Sequence, residues 1–482
     1  MAAAGLALCI LTGILSCNTA EGAVITLLTG KTIKGTIVKE TETHVTVSLV
    51  HEGASMTLPV RKSLIRSITD DNGKTRIINS KNKNKPVIKP KAEVKPPDKK
   101  PEPAAADNEW PCWRGPGRNG ITRGKGLRLK WDSGSPPPLL WQKSIGKGYS
   151  TVTVAGGKAY TMGNDGSRDT VWCFNAETGK EIWKDSYPCT SGQYPGPRST
   201  PSVAGDTLVA FSRKGDLRAY SASDGRVLWK KNIVREVGAK RPKWDYAGSP
   251  LILSDLVVLN VGTSGTAVSI TDGSIVWKTG KGRAGYATPV PVTLGGKEAL
   301  LIFSAHALHA VNPANGKRLW KYGWRTNHDV NAADPIYHDG RVFISSAYNH
   351  GCALLKVSAS HASKVYENRA MRNHFNSCVL HNGYLYGVDN STLKCIEFST
   401  GREKWKTRAS RKGSLIIAGG RLVVLSERGK LIIAEADPSG FRELCSHQIL
   451  KGRCWTHPTV ANGRLYARNE QGKMVCLDIR ER

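Results

Sequence analysis

Metal, nucleophile and phosphate chemistry each demand particular side chains at particular spacing, and this chain offers little of any of them. His306 and His309 lie three apart, but their segment reads as a strand, where side chains alternate faces, so the two point to opposite sides and share no metal. The eleven cysteines supply no Cys-x-x-Cys pair and no His/Cys cluster at zinc spacing. Neither a Gly-x-Ser-x-Gly elbow nor a phosphate-cradling P-loop occurs, so hydrolase and nucleotide chemistry lack a foothold. Rings beside cations are better represented. Tyr149, Arg198, Tyr246, Tyr286, Asn331, His374, Lys412 and Trp455 stand at the openings of repeated units. Aromatics interleaved with Arg, His and Lys suit a sugar ring, an anionic glycan or a protein loop. The sequence therefore favours a binding surface over an enzyme.

The elements that must position these side chains come from repetition. From Trp110 onward a strand is followed by a turn ending in Gly, with Trp four residues later: Gly179 to Trp183, Gly225 to Trp229, Gly273 to Trp277, Gly316 to Trp320 and Gly401 to Trp405. Two copies are degenerate, one near Ser360-His361 with Tyr366 replacing Trp, the other at Ser439-Gly440 with Leu444. The period of 39 to 48 residues is that of a four-stranded propeller blade, not a helical repeat. Units open with a small or hydroxyl residue before an apolar strand, as at Thr200-Pro201, Ser249-Pro250, Thr288-Pro289 and Asp334-Pro335. Gly-containing hairpins such as His381-Asn382-Gly383-Tyr384 follow, where the turn demands positive φ.

Seven units are complete, and the last, 455–480, ends before any Trp-bearing strand. Leu139-Leu140-Trp141-Gln142-Lys143 precedes the first unit without an owner. Joining the two predicts an all-β fold, an eight-bladed β-propeller closed by its termini, whose mouth gathers the eight residues named above. Trp141, Trp183, Trp229, Trp277, Trp320 and Trp405 then fill the wedges between blades. Cys173, Cys352, Cys395 and Cys476 read as small buried residues in one repeated slot. Cys445 and Cys454 are candidates for a bridge.

Ahead of the propeller, residues 1–23 read as an export segment, apolar from Met1 to Leu15. Either cleavage occurs near Ala20 or Ala23, or Cys17 is lipidated within the loose lipobox Ile14-Leu15-Ser16-Cys17. No second apolar run reaches membrane length. Residues 24–78 alternate apolar and polar between turn residues and predict a small β-barrel-like module, with a rhythm that resembles an Sm-like or SH3-like barrel. Residues 79–109 switch to Lys and Pro, a disordered basic linker. Residues 110–138 are a lead-in, and 139–482 the propeller.

The Gly-x-x-x-Trp turns, preceded by Phe174-Asn175-Ala176-Glu177-Thr178-Gly179 and Tyr220-Ser221-Ala222-Ser223-Asp224-Gly225, resemble the pyrroloquinoline-quinone repeats of quinoprotein-like β-propellers over about residues 139–482. Trp110-Pro111-Cys112-Trp113-Arg114-Gly115-Pro116 resembles the lead-in of many bacterial propellers of this sort. The family includes quinone-dependent alcohol dehydrogenases and the propeller lipoprotein of the outer-membrane β-barrel assembly machinery, and the chain resembles the latter more. The dehydrogenase branch implies a vicinal Cys-Cys disulfide, a calcium site and a catalytic Asp. No two cysteines are adjacent here, and Asn331, Asp334 and Asn376 are the few oxygen ligands at blade entrances. The resemblance thus implies a non-catalytic scaffold without a cofactor, exported to the periplasm or cell envelope and holding a protein or anionic glycan. An oxidoreductase using pyrroloquinoline quinone with calcium is the alternative.

Charge supports an anionic partner. Of the net +31, residues 1–109 hold 16 basic against 11 acidic side chains, which leaves +26 to the rest, a field that attracts anionic polymers. Nucleic acid suits that charge, but the export segment argues against it.

Overall fold

The structure, a computed structural model, describes residues 23–78 except 28–31, 42, 43, 52, 53, 63, 64, 71 and 73, and residues 108–481 except 133. The expected export segment with Cys17 and the Lys/Pro run of the linker lie outside the described residues. The chain divides into two compact units, Met1–Lys99 and Lys100–Arg482.

In the first unit one antiparallel sheet contains Ala23–Leu27, Thr32–Glu40, His44–His51, Ala54–Arg61, Ile65–Thr69 and Thr75–Ile77. Ala23–Leu27 lies inside it, paired with Thr32–Glu40 on one side and Ile65–Thr69 on the other. Ile25, Val45, Val47, Ile65 and Ile68 share one buried face; period-two alternation accounts for Val45 and Val47, and a register shift in Ile65–Thr69 brings Ile65 and Ile68, three apart, to the same side. Ala54–Arg61 and Thr75–Ile77 form its edges.

The second unit is a succession of antiparallel sheets. Seven take four consecutive strands each, within residues 153–188, 202–232, 251–278, 290–323, 336–368, 379–407 and 414–448, and the seventh gains the short parallel strand Ile121–Thr122. The eighth takes Thr459–Ala461, Arg464–Arg468 and Lys473–Asp478 from the end of the chain, and its outer strand, Leu139–Ser144, from the start of the unit. Cys476 pairs with Trp141 across that seam, as Cys173 pairs with Trp183 and Cys395 with Trp405 in their own sheets. The expected donation of Trp141 is therefore what joins the two ends.

Each outer-strand indole is anchored to the next sheet. Nε1 donates to the carbonyl of Ala222 from Trp183 (3.1 Å), Ile270 from Trp229 (2.7 Å), Pro313 from Trp277 (2.7 Å), Ser358 from Trp320 (2.9 Å) and Asp437 from Trp405 (2.7 Å). Trp141 makes the same bond to Ala176 at 3.4 Å, across the seam. Gly179, Gly225, Gly273, Gly316 and Gly401 each leave room for the docked ring: at Gly273, φ is 71°, and an added Cβ would stand 2.6 Å from the Trp229 ring. Tyr366 substitutes faithfully, its hydroxyl donating to the Phe398 carbonyl at 3.0 Å with Gly401 against its ring.

Two repeat assignments need correction. Cys445, not Leu444, pairs in the slot of the docking Trp, opposite Ile433. Gly440 has ordinary φ and nothing within 4 Å, so it is not a docking glycine and counting from it misplaces the slot. Leu444 and Cys445 pack instead against the cluster holding Leu127, Leu129 and Trp131 of the lead-in. Cys352 pairs with Asn368, two residues from the slot that Leu354 fills opposite Tyr366, so it does not share the position of Cys173, Cys395 and Cys476. Cys445 and Cys454 are free thiols.

The hydroxyl residues at the unit openings have a common task. Backbone N–H groups donate from Thr151 to Thr200 Oγ1 (3.1 Å), from Thr200 to Ser249 Oγ (2.9 Å), from Ser249 to Thr288 Oγ1 (3.0 Å), from Thr288 to Asp334 Oδ1 (2.8 Å) and from Asp334 to Ser377 Oγ (2.8 Å). Inner strands of neighbouring sheets are too splayed to pair as a ladder, and a side-chain oxygen from the next sheet satisfies the N–H that a ladder would have taken.

Truncating Trp229 or Trp277 to Ala should cost about 3–5 kcal/mol in denaturant unfolding, the usual loss for a large buried aromatic. Gly273→Ala should also destabilise, because both its φ and the Trp229 ring oppose a Cβ. Unchanged midpoints in these variants would show that docking does not hold the sheets together.

Candidate functional site

The lead-in does not run along the outside of the propeller; it crosses the inner strands of successive sheets. Trp110 exchanges two 2.9 Å backbone bonds with Val154 of the first sheet, Pro111 accepts from Val203 of the second (2.9 Å), and Arg118 Nη2 donates to Ile252 of the third (3.0 Å). Trp113 Nε1 donates to Asp334 Oδ2 beside the fifth sheet (2.6 Å), Arg114 Nη2 to the Cys378 carbonyl at the sixth (2.6 Å), and Gly120 accepts from Ile417 of the seventh (2.9 Å). The Trp113 ring packs on His457 of the eighth at 4.7 Å. One segment touching so many inner strands is a plug. Its tight path explains Arg114 at φ 64° and Gly115 at φ 80°, where a Cβ would meet the Trp110 ring at 2.9 Å.

Above the plug is a cavity of about 200 Å³, with Trp113 and Asp334 among its lining residues. Its wall is a run of touching rings. Tyr149 stacks on Trp455 at 5.9 Å, Trp455 meets Phe375 at 4.6 Å, Phe375 meets His374, and His374 meets Tyr348 at 5.2 Å. His328 then bridges Tyr348 to Trp244, which contacts Tyr286 at 6.3 Å. Most of these residues come from loops ahead of inner strands, and Tyr348 from the turn between Arg341–Ser346 and Gly351–Val357, so distant parts of the sequence converge on one axis.

Of the eight residues expected at the mouth, Tyr149, Arg198, Tyr286, His374 and Trp455 line this cavity, and three do not. Tyr246 is 1% exposed and packs on Phe211 at 5.5 Å inside a hydrophobic core. Asn331 is fully buried, its Nδ2 donating to the carbonyls of Ser304, Ala305 and Trp324 while Oδ1 accepts from Ser346 Oγ, so it clamps loop backbone. Lys412 stands outside the lining, though its charge reaches His374. Trp113, Tyr194, Trp244, Tyr348 and Phe375 are lining residues that the repeat pattern did not single out. They occupy the lead-in or irregular loops, which share no spacing from unit to unit.

The charged groups in the wall are already engaged. Asp334 accepts from Thr288 N and Trp113 Nε1 and forms a buried ion pair with Arg114 at 3.8 Å. Burial pushes its carboxyl up and the Arg114 guanidinium down. Arg198 donates to the carbonyls of Trp244, Gln193 (3.2 Å) and Tyr194 (3.0 Å), and burial lowers its pKa to about 10. Burial raises Tyr149 and Tyr286 to about 12. Asn376 donates to the Gly413 carbonyl. A calcium-bound quinone needs free carboxylate and amide oxygens, and of the three oxygen ligands read from sequence, Asp334 and Asn331 are fully committed. The donor set does not fit that cofactor.

His374 carries a pH signature. Burial, helped by Lys412, lowers its pKa from 6.5 to about 4. An imidazole kept neutral in the folded chain takes up a proton when unfolded below about 6.5, so its contribution makes stability fall as pH drops from 6.5 toward 4. His374→Gln should flatten the slope of unfolding free energy against pH in that window by up to one proton. Equal slopes for wild type and variant would mean that His374 titrates normally.

Comparison with known proteins agrees with this architecture. A family model described as outer membrane protein assembly factor BamB matches residues 167–407. A BamB of Shewanella oneidensis is 23% identical over 297 residues, which cover 58% of this chain and 74% of that one. The crystal structure of BamB from Moraxella catarrhalis aligns with TM-score 0.54 at 15% identity, over 71% of this chain and all of that one. The quinohemoprotein alcohol dehydrogenase of Comamonas testosteroni aligns with TM-score 0.59 at 12% identity, over 78% of this chain and 81% of that one. Structural likeness at such identity speaks to fold alone, since scaffolds and enzymes share it. With half its length matched by the family model, and with each repeat folded as a sheet docked on its neighbour, the chain belongs to the pyrroloquinoline-quinone-repeat family of β-propellers.

Proposed function

We propose that this chain is a non-catalytic, exported scaffold of the cell envelope, an eight-bladed ring that holds a protein partner at the mouth above the Trp113 plug. The observation that carries this reading is the cavity wall, in which eight of the eighteen lining residues are Trp, Tyr or Phe and whose one carboxylate is committed to the plug. Aromatic residues with a polar rim are what buried centres of protein interfaces are made of. The matched relatives are named for outer membrane protein assembly, which supports an envelope protein as the occupant. Export through residues 1–23, anchoring at Cys17 and a barrel-like role for the first unit belong to the same proposal. A quinone-dependent oxidoreductase is the weaker reading, because two of the three oxygen ligands, Asp334 and Asn331, are engaged within the chain. An anionic glycan is also less favoured, since the cations at the mouth stand outside the cavity.

Those cations still steer the encounter. Lys243 lies 5.0 Å from the Trp244 ring and Arg453 4.5 Å from the Trp455 ring, so charge frames the aromatic mouth. Exposed charges are screened once the Debye length shrinks to about 8–10 Å. Capture of outer-membrane proteins from envelope extract should fall steeply with salt and fall further in Lys243→Glu/Lys412→Glu, whereas Lys89→Glu/Lys91→Glu in the linker should matter less. Salt-independent capture, or equal loss from the linker variant, would remove the mouth from the proposal. Dye-linked alcohol oxidation after reconstitution with quinone and calcium would instead establish the enzyme.

A further inference from the structure

We infer that the cavity above Trp113 is a binding site for a neutral, polyhydroxylated ring, one sugar residue of an uncharged glycan. This goes beyond the protein-partner reading and does not rest on it. A sugar ring has C–H groups on its faces and hydroxyls around its edge, so its complement is a set of aromatic faces bordered by unpaired donors and acceptors. The cavity supplies both.

The faces come from Tyr149 stacked on Trp455, from Phe375 tilted against Trp455, and from Trp244 with Tyr286. The polar border comes from the relay at the unit openings. Ser249 Oγ accepts from Thr200 N, and Thr288 Oγ1 from Ser249 N. Each hydroxyl therefore retains its own proton, and among the described residues neither donates it within the chain. Asn376 commits its Nδ2 to Gly413, and its Oδ1 faces no donor among the described residues. Hydroxyl and amide groups at the edge of an apolar pocket fix a ligand's orientation and reject one that leaves them unpaired.

Charge and size narrow the class. The Arg and Asp side chains of the lining, Arg198 and Asp334, are held by three backbone carbonyls and by Arg114 with Trp113, so neither is free to pair with an acidic or cationic ligand. His374 is neutral near pH 7, because its pKa is lowered to about 4. A purely apolar ring, such as a phenyl group, would leave the Ser249 and Thr288 protons unanswered in a buried site. A cavity of about 200 Å³ is smaller than the roughly 300–1,000 Å³ of drug-sized sites, and suits one ring with its neighbours extending out of the mouth.

The test uses the full chain and needs no protein partner. Trp113, Trp244 and Trp455 report on the cavity by fluorescence, and calorimetry measures affinity for maltotetraose, cellotetraose and chitotetraose. At least one should bind, with affinity unchanged between about 0.05 and 0.5 M salt, a range in which exposed charge pairs are strongly screened. Trp455→Ala should weaken it at least tenfold with Trp455→Phe restoring most of the loss, and Ser249→Ala should weaken it severalfold. Far-UV circular dichroism and melting temperature establish that each variant is folded. The inference falls if none of the three binds, if Trp455→Ala binds as well as wild type, or if tetragalacturonate or N-acetylphenylalaninamide binds more tightly than all three. Protein capture by the rim variants is read separately, so sugar binding without capture overturns the scaffold and spares this site, and capture without sugar binding does the reverse.

Discussion

An indole set against a glycine in the neighbouring sheet is the contact on which the rest of this propeller depends. Each such ring removes roughly 150–250 Å² from water, but area alone would not give a register. Register comes from the Nε1 bond to a carbonyl of the next turn and, at turns such as that of Gly273, from a glycine whose positive φ leaves room for the ring. Repeating the contact from sheet to sheet fixes the angle between neighbours, and a fixed angle brings the chain back to its own beginning. That is why Leu139–Ser144 completes the last sheet: Trp141 must dock on Ala176, in the turn of the first sheet, for the series to close.

Legibility followed the same contact. Trp183, Trp229, Trp277, Trp320 and Trp405 were readable because the docking turn has one length, so the spacing from Gly to Trp is a physical constant of the fold. Cys445 was hidden because its turn lacks a docking glycine, and Trp131 of the lead-in packs in the cluster against which Leu444 and Cys445 lie. The mouth was half legible for a related reason. Unit openings locate the inner strands, but whether the preceding residue points to the axis or into the core depends on loop geometry, which sends Tyr246 against Phe211 and Asn331 among backbone carbonyls. Nothing in the repeat announced the plug, which occurs once and therefore has no period.

Asp334 ties these levels together. In a relay otherwise made of Thr and Ser oxygens it is a carboxylate, and its second oxygen receives Trp113 from the plug. A hydroxyl could take the N–H of Thr288, but it could not also balance the buried Arg114 guanidinium. Burying such a pair costs desolvation that only good partners offset; here Arg114 Nη2 is met by the Cys378 and Asn119 carbonyls and Asp334 Oδ1 by Thr288, while Arg114 Nε has no partner among the described residues. The position that looked like a metal ligand in sequence is the latch of the plug, and the latch sets the floor of the cavity.

The strong positive charge has its own explanation in the strands. Lys184, Lys230, Lys278, Lys321 and Lys406 each follow a docking aromatic on an outermost strand and are exposed. Those strands carry exposed apolar side chains as well, among them Ile182, Leu228 and Val276, and a bare apolar edge would invite pairing with another chain. A lysine on each edge makes that pairing costly, because burying its ammonium against a second strand strips it of water. These five lysines are thus placed to keep the blade edges apart from other strands, and that part of the charge needs no partner to explain it.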